Sequence, residues 1–132
     1  VNDHVAMTTP ESPDAIVGEV AGRRAIIVDD IVDTGRRVQM TARALRANGA
    51  TDVFVVATHA VLSGDAAQRL AADDNISRLV FTDTLTIPAE KQSAKFTMLS
   101  VAPLLAEAIQ RIHDNRALDV LLKSRNNPEA KL

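Results

Sequence analysis

A chain of 132 residues that is 46% hydrophobic and 24% charged holds enough apolar content for one folded domain, which excludes intrinsic disorder. Its 15 basic and 17 acidic residues give a net charge of -2, without the basic excess that attracts nucleic acid, and an aromatic fraction of 2% supplies no platform for stacked bases. The absence of cysteine removes disulfides, thiolate metal sites and a cysteine nucleophile, and no apolar run approaches the ~18 residues of a membrane span.

The stretch up to about residue 22 contains Thr8, Thr9, Pro10, Ser12 and Pro13 without sustained apolar periodicity. It reads as loop with at most one short strand near Ile16 and Val17. Ala25-Ile26-Ile27-Val28 is a continuous, largely β-branched run, the pattern of a strand covered on both faces, and it stops at Asp29-Asp30. After Thr34-Gly35, the spacing of Val38, Thr41, Ala42 and Leu45 predicts a helix over 36–48, with Gly49 placed to end it. Val53-Phe54-Val55-Val56-Ala57 predicts a second buried strand that ends at Thr58-His59.

Ser63-Gly64-Asp65 can cap a following helix, whose stripe of Ala66, Ala67, Leu70 and Ala71 is broken by Asp73-Asp74-Asn75. Leu79-Val80-Phe81 is a third strand and runs into Thr82-Asp83-Thr84, after which a loop carries Pro88, Lys91 and Lys95. A fourth strand is expected over 96–101. Pro103 then sits where a first-turn proline belongs, and Leu104, Leu105, Ala108, Ile109 and Ile112 predict a helix to about residue 114 with one buried face. A short helix over 117–122 and a polar tail follow. The division is an irregular segment at 1–15, one domain at 16–122 and a tail at 123–132.

Strands alternating with helices predict an α/β fold, with a mostly parallel sheet and flanking helices. Ligands of such sheets sit beyond the carboxyl ends of the strands. Asp29-Asp30, Thr58-His59 and Thr82-Asp83-Thr84 all fall at those ends, which points to a site there. Two adjacent carboxylates cannot both be buried unpaired, because each would cost several kcal/mol, the scale of the whole fold's stability. They call for a cation or for hydroxyl donors. Asp33, Thr34 and Gly35 follow immediately before a helix, where free backbone N–H groups, a hydroxyl and the positive end of the helix dipole suit a phosphate. An acid pair beside a phosphate cradle fits a phosphorylated polyol, with the carboxylates on sugar hydroxyls or on Mg²⁺. The plainer alternative is that Asp-x-Thr-Gly merely caps a helix.

Val28-Asp29-Asp30-Ile31-Val32-Asp33-Thr34-Gly35 resembles the phosphoribosyl pyrophosphate (PRPP) motif of type I phosphoribosyltransferases. Thr58-His59-Ala60-Val61-Leu62-Ser63-Gly64 and Thr82-Asp83-Thr84-Leu85-Thr86-Ile87-Pro88 narrow the likeness, and so, above all, does Leu99-Ser100-Val101-Ala102-Pro103-Leu104-Leu105-Ala106-Glu107-Ala108-Ile109. These resemble the C-terminal part of the ribose-phosphate pyrophosphokinase (PRPP synthetase) family over residues 16–122. The resemblance implies a type I phosphoribosyltransferase-like fold and a cytoplasmic enzyme of nucleotide biosynthesis. Such an enzyme moves the pyrophosphoryl group of ATP onto the anomeric hydroxyl of ribose 5-phosphate, with Mg²⁺, and assembles as homo-oligomers built from dimers. By motif position, Asp29 and Asp30 would meet the ribose hydroxyls directly or through the metal. Asp33, Thr34 and Gly35 would open the 5-phosphate loop, with Arg36 and Arg37 continuing it.

The sequence departs from that pattern in three places. The family loop continues Gly-Gly-Thr, whereas Gly35 is followed here by Arg36 and Arg37. An arginine resists the left-handed backbone that glycine permits, and the missing threonine removes a hydroxyl. Either arginine could pair with phosphate through its fork, fill the pocket or swing into solvent. The family's Lys-x-Arg pair, counted back from the acid pair, falls on Asp3 and Val5, and residues 1–14 hold no Lys or Arg. The family's amino-terminal ATP-binding domain and the opening strands of its second domain have no counterpart, as for a fragment or a shortened homologue.

His59 at the ligand edge reads as a loop-orienting residue, His113 as a complement to a helix C-terminus, and His4 lies in the weak leading segment. Lys91 and Lys95 could meet phosphate, although solvated loop lysines are commoner. Arg23, Arg24, Arg36, Arg37, Arg43 and Arg46 form a local basic patch. Two other functions compete with the enzyme: a non-catalytic homologue serving as a regulatory or structural subunit, and a phosphoreceiver domain using Asp83. Neither nucleic acid nor membrane is an expected partner.

Overall fold

A computed structural model describes residues 7–9 and 12–123. They form two compact units, one ending at Leu99 and the other beginning at Ser100. The first unit opens with strands β1 (Met7–Thr9) and β2 (Ser12–Val17), paired antiparallel with Met7 opposite Val17. Sequence patterning expected at most one strand here. Pro13 fits because a two-stranded ribbon consists only of edges, where a missing N–H donor is tolerated.

The main sheet has four parallel strands in the order β3 (Arg24–Val32), β4 (Asp52–Ala60), β5 (Arg78–Thr82) and β6 (Phe96–Leu99). Helix α1 (Arg36–Ala47) links β3 to β4, and α2 (Ala66–Ala72) links β4 to β5. The predicted α/β class therefore holds. β4 runs on through Thr58 and His59 to Ala60, and β6 stops at Leu99, short of the expected residue 101. Helix α1 ends in the paired bonds of a Schellman motif, Gly49 N–H to the Arg46 carbonyl and Ala50 N–H to the Leu45 carbonyl, both 3.0 Å.

The core lies on one face of this sheet. Val53, Val55 and Ala57 of β4 and Leu79 and Phe81 of β5 pack with Val38, Ala42 and Leu45 of α1 and Ala66, Ala67 and Leu70 of α2. Phe81 meets Phe96 edge to face at 5.7 Å between ring centroids. The opposite face corrects the expectation that β3 is covered on both sides: Ile26 is 63% exposed and Val28 is 78% exposed. A continuous apolar run cannot say which of its two alternating faces finds a partner. Here, among the described residues of this unit, only one does.

The second unit contains α3 (Ala102–His113), with proline in its first turn as expected, and α4 (Asp119–Lys123). An i,i+4 ion pair joins Glu107 to Arg111 at 2.7 Å. The buried face expected of α3 is not found. Leu104, Leu105, Ile109 and Ile112 are all exposed, so their helical spacing marks an apolar stripe without cover inside this unit.

Candidate functional site

Strand β3 carries Asp29 and Asp30 to its carboxyl end, and the strand period turns them to opposite faces. Asp29 follows Ala25 and Ile27 on the half-buried side, whereas Asp30 follows Ile26 and Val28 on the open one. The chain then turns through Asp33 and Thr34 into α1. Asp29, Asp33, Thr34, Gly35, Arg36 and Arg37 come together around one open cavity of about 160 Å³, with Ile31, Val32 and Val38 completing the wall. Asp30 is not part of that wall. The cavity is smaller than the roughly 300 Å³ of a complete small-molecule site, so it is sized as a subsite.

Gly35 makes the turn possible. It is buried and left-handed, at φ +71, and a Cβ there would lie 2.8 Å from Leu70 Cδ1. Only glycine satisfies both the backbone and the packing against α2. Gly35 is also the N-cap of α1, so no side chain caps the helix, and no acidic residue stands in its first turn. The first intrahelical bond is from Gln39 N–H to the Gly35 carbonyl, which leaves the N–H groups of the preceding residues without intrahelical acceptors, as at any helix start. An anion at this point would receive those donors and the positive end of the dipole.

The turn is braced from behind by side chains that sequence patterning did not single out. Arg69 of α2 donates from Nη2 to the Thr34 carbonyl at 2.8 Å and from Nη1 to Gln39 Oε1 at 2.6 Å. Gln39 donates from Nε2 to Asp73 Oδ2 at 3.0 Å. Burial raises the Asp73 carboxyl's pKa, but hydrogen bonds from Asn75 and Gln39 outweigh it and leave the group below its ordinary range. Residues about 30 positions apart in sequence thus hold the loop, a spacing that no local motif reveals.

The two arginines that open α1 differ in their contacts. Arg37 donates from Nη2 to Asp29 Oδ2 at 2.5 Å, and Asp29 Oδ1 accepts the Asp30 N–H at 3.0 Å. Partial burial raises the Asp29 pKa, while the Arg37 hydrogen bond and charge lower it further than burial raises it, so the carboxylate is held ionised below its ordinary range. Among the described residues, no hydrogen bond or ion pair ties Arg36 into this network.

A resident Mg²⁺ on Asp29 and Asp30 does not fit this arrangement. Magnesium demands near-octahedral oxygen ligands at about 2.0–2.1 Å. Both Asp29 oxygens already have donors, and Asp30 lies on the other side of the strand. No cluster of three His, Cys, Asp or Glu suited to a metal occurs among the described residues.

The remaining polar residues serve the scaffold. His59 Nδ1 lies 2.9 Å from Thr84 Oγ1, and Thr84 and Thr82 both donate to the Thr58 carbonyl, tying the ends of β4 and β5 together. Lys91 donates to the Leu62 carbonyl and Lys95 to the Asp73 carbonyl, so neither faces the cavity. Arg46 binds the carbonyls of Asn75, Ala50 and Thr51. His113 stands in the last turn of α3, as expected. Asp3, Val5 and His4 lie outside the described residues. No described helix is long and apolar enough to cross a membrane.

Comparison with known proteins identifies the family. Ribose-phosphate pyrophosphokinase of Oceanobacillus iheyensis is 45% identical over 80% of this chain and 33% of its own length. Ribose-phosphate pyrophosphokinase 1 of Lactococcus lactis is 45% identical over 82% of this chain and 33% of its own. The crystal structure of phosphoribosylpyrophosphate synthetase from Mycobacterium smegmatis matches with a TM-score of 0.72 and 42% identity, covering 76% of this chain and 33% of that one. The chain therefore spans about a third of the length of these relatives. A family model, the phosphoribosyl synthetase-associated domain, matches residues 2–123, and with it the chain belongs to the PRPP synthetase family.

Proposed function

We propose that this chain is the phosphopentose-binding part of a ribose-phosphate diphosphokinase, corresponding to the C-terminal domain of its longer relatives. The reading rests on one observation above the others. An uncapped helix N-terminus, a left-handed Gly35 seated on Leu70 and the carboxylates of Asp29 and Asp33 share a single cavity of subsite size. The 5-phosphate of ribose 5-phosphate or PRPP would take the N–H groups at the start of α1, Asp33 would accept from sugar hydroxyls, and Asp29, engaged by Arg37, would hold that guanidinium beside the ligand. Asp30, on the opposite side of β3, would reach a ligand only from beyond the strand end.

In the reaction, the anomeric oxygen of ribose 5-phosphate attacks the β-phosphorus of ATP, the bond to the α-phosphate oxygen breaks, and AMP leaves. The protein's part is to hold hydroxyl and triphosphate in line. ATP, Mg²⁺ and homo-oligomer assembly belong to this proposal for the whole enzyme, as does a cytoplasmic location. The chain's share is the pentose side.

Calorimetric titration of the chain with ribose 5-phosphate and with PRPP tests the assignment. Saturable binding that is lost in Asp33→Ala and in Gly35→Ala is expected, and failure of both ligands to bind the wild-type chain overturns it. The engagement of Asp29 by Arg37 favours one second reading, a non-catalytic homologue that assembles with active subunits. That reading requires association with a full-length synthetase without phosphopentose binding.

A further inference from the structure

We propose that Arg37 supplies, from within the chain, the positive charge that a divalent cation would otherwise bring to Asp29, so that this loop takes a sugar phosphate without a metal held by Asp29 and Asp30. The choice of ligand rests on the phosphopentose reading above. The statement about the cation rests on the contacts of Asp29 itself.

Three observations converge on it. The first is occupancy: the Arg37 guanidinium lies 2.5 Å from Asp29 Oδ2, and the backbone N–H of Asp30 satisfies Oδ1. An ion at magnesium's bond length would have to displace the guanidinium from an oxygen that it already binds. The second is geometry. A cation shared by two carboxylates needs both on one side, yet Asp29 lines the cavity and Asp30 does not, because successive residues of β3 alternate.

The third is the position of the arginine. Arg36 and Arg37 open α1, where the positive end of the helix dipole disfavours a cation, and no acidic residue of that turn offsets them. A cation is stable there only opposite an anion. Asp29 is that anion for Arg37 in the free chain, and a bound phosphate would be a second.

Chemically, the replacement changes what the loop can do. A guanidinium has five N–H donors in a plane, so one edge can hold a carboxylate while another meets a phosphate or a ribose hydroxyl. The Arg37 side chain remains 64% exposed while the Asp29 side chain is 12% exposed, which leaves donors of the fork open to solvent. Unlike a metal, Arg37 is present at a fixed stoichiometry and is insensitive to chelators. Arg37 is thus a specificity-determining residue for cation use.

The test uses the full chain, with Mn²⁺ alone as the probe, followed by its spin resonance signal. Arg37→Gln should bind Mn²⁺ about tenfold or more tightly than the wild type, and adding Asp29→Asn to that variant should return it to the wild-type level. Equal Mn²⁺ affinity in wild type and Arg37→Gln overturns the proposal, as does tight wild-type binding that Asp29→Asn abolishes. Neither outcome depends on the sugar phosphate.

In a second measurement, wild-type affinity for ribose 5-phosphate should be the same in excess chelator and in excess Mg²⁺, and Arg37→Gln should regain affinity only with Mg²⁺. A tenfold gain on adding Mg²⁺ to the wild type overturns metal independence. If ribose 5-phosphate binds under neither condition, the phosphopentose reading fails while the Mn²⁺ comparison still decides the role of Arg37.

Discussion

Gly35 and Asp29 show how much a single position can carry. Gly35→Ala meets two independent penalties, a left-handed backbone that costs an L-residue roughly 1–2 kcal/mol and a methyl group 2.8 Å from Leu70 Cδ1. A loss of about 2 kcal/mol or more in chemical denaturation is expected, with Gly35→Ser no better, since any Cβ meets the same leucine. Asp29 makes a prediction in pH. Its folded pKa lies below the ordinary 3.8, so as acid is added the unfolded chain binds this proton before the folded one does. The stabilisation from the Asp29–Arg37 pair is therefore complete above about pH 5 and is lost as the pH falls through the folded value. The stability difference between wild type and Asp29→Asn should stay constant from neutral pH down to that point and change only below it. A difference that is flat through the acid range would show that the pair contributes nothing to folding.

Among the elements, β4 and β5 are the inner strands of the sheet, and β5 pairs with β4 on one side and β6 on the other. Its Phe81 is fully buried and meets Phe96 edge to face. Phe81→Ala should cost about 3–5 kcal/mol, a large part of the roughly 5–15 kcal/mol that keeps a domain folded, and should lower the melting temperature far more than Phe54→Ala on the half-buried side of β4. The same elements show what the sequence could convey. β3, α1, β4, α2 and β5 were legible because a buried strand needs a β-branched run and a surface helix needs a stripe every three or four residues. The residues of the candidate cavity were legible where they are local, at Asp29, Asp33, Thr34 and Gly35, which follow one another at a strand end. The site was not legible where contact is made over distance. Nothing in the text around Thr34 announces Arg69, and the pairing of Arg37 with Asp29 was not among the courses that the sequence suggested for that side chain. The pairing of β1 with β2 was hidden for another reason: prolines and threonines carry little periodicity, and a two-stranded ribbon needs none.

For the molecule as a whole, the telling feature is apolar surface that each unit leaves open. In the first unit, Ile26, Val28, Val56 and Leu99 are exposed by 37–78% on the same side of the parallel sheet, and parallel sheets are ordinarily covered on both sides. A face of this kind exceeds the scattered exposed leucines that any soluble domain tolerates. Such a surface in the native chain should bind a hydrophobic dye such as anilinonaphthalene sulfonate without prior unfolding. The paired variant Ile26→Thr and Val28→Thr keeps β-branched side chains in β3, so strand formation survives while the face turns polar. Dye fluorescence should fall by about half or more, and stability should move by no more than roughly 0.5 kcal/mol per site, as for exposed positions generally. Leu79→Ala, on the closed side of the sheet, is the opposite control: it should cost about 2–5 kcal/mol and leave native dye binding to the open face intact. If the paired variant instead destabilises the chain by several kcal/mol, these side chains are buried in solution and the face is not open.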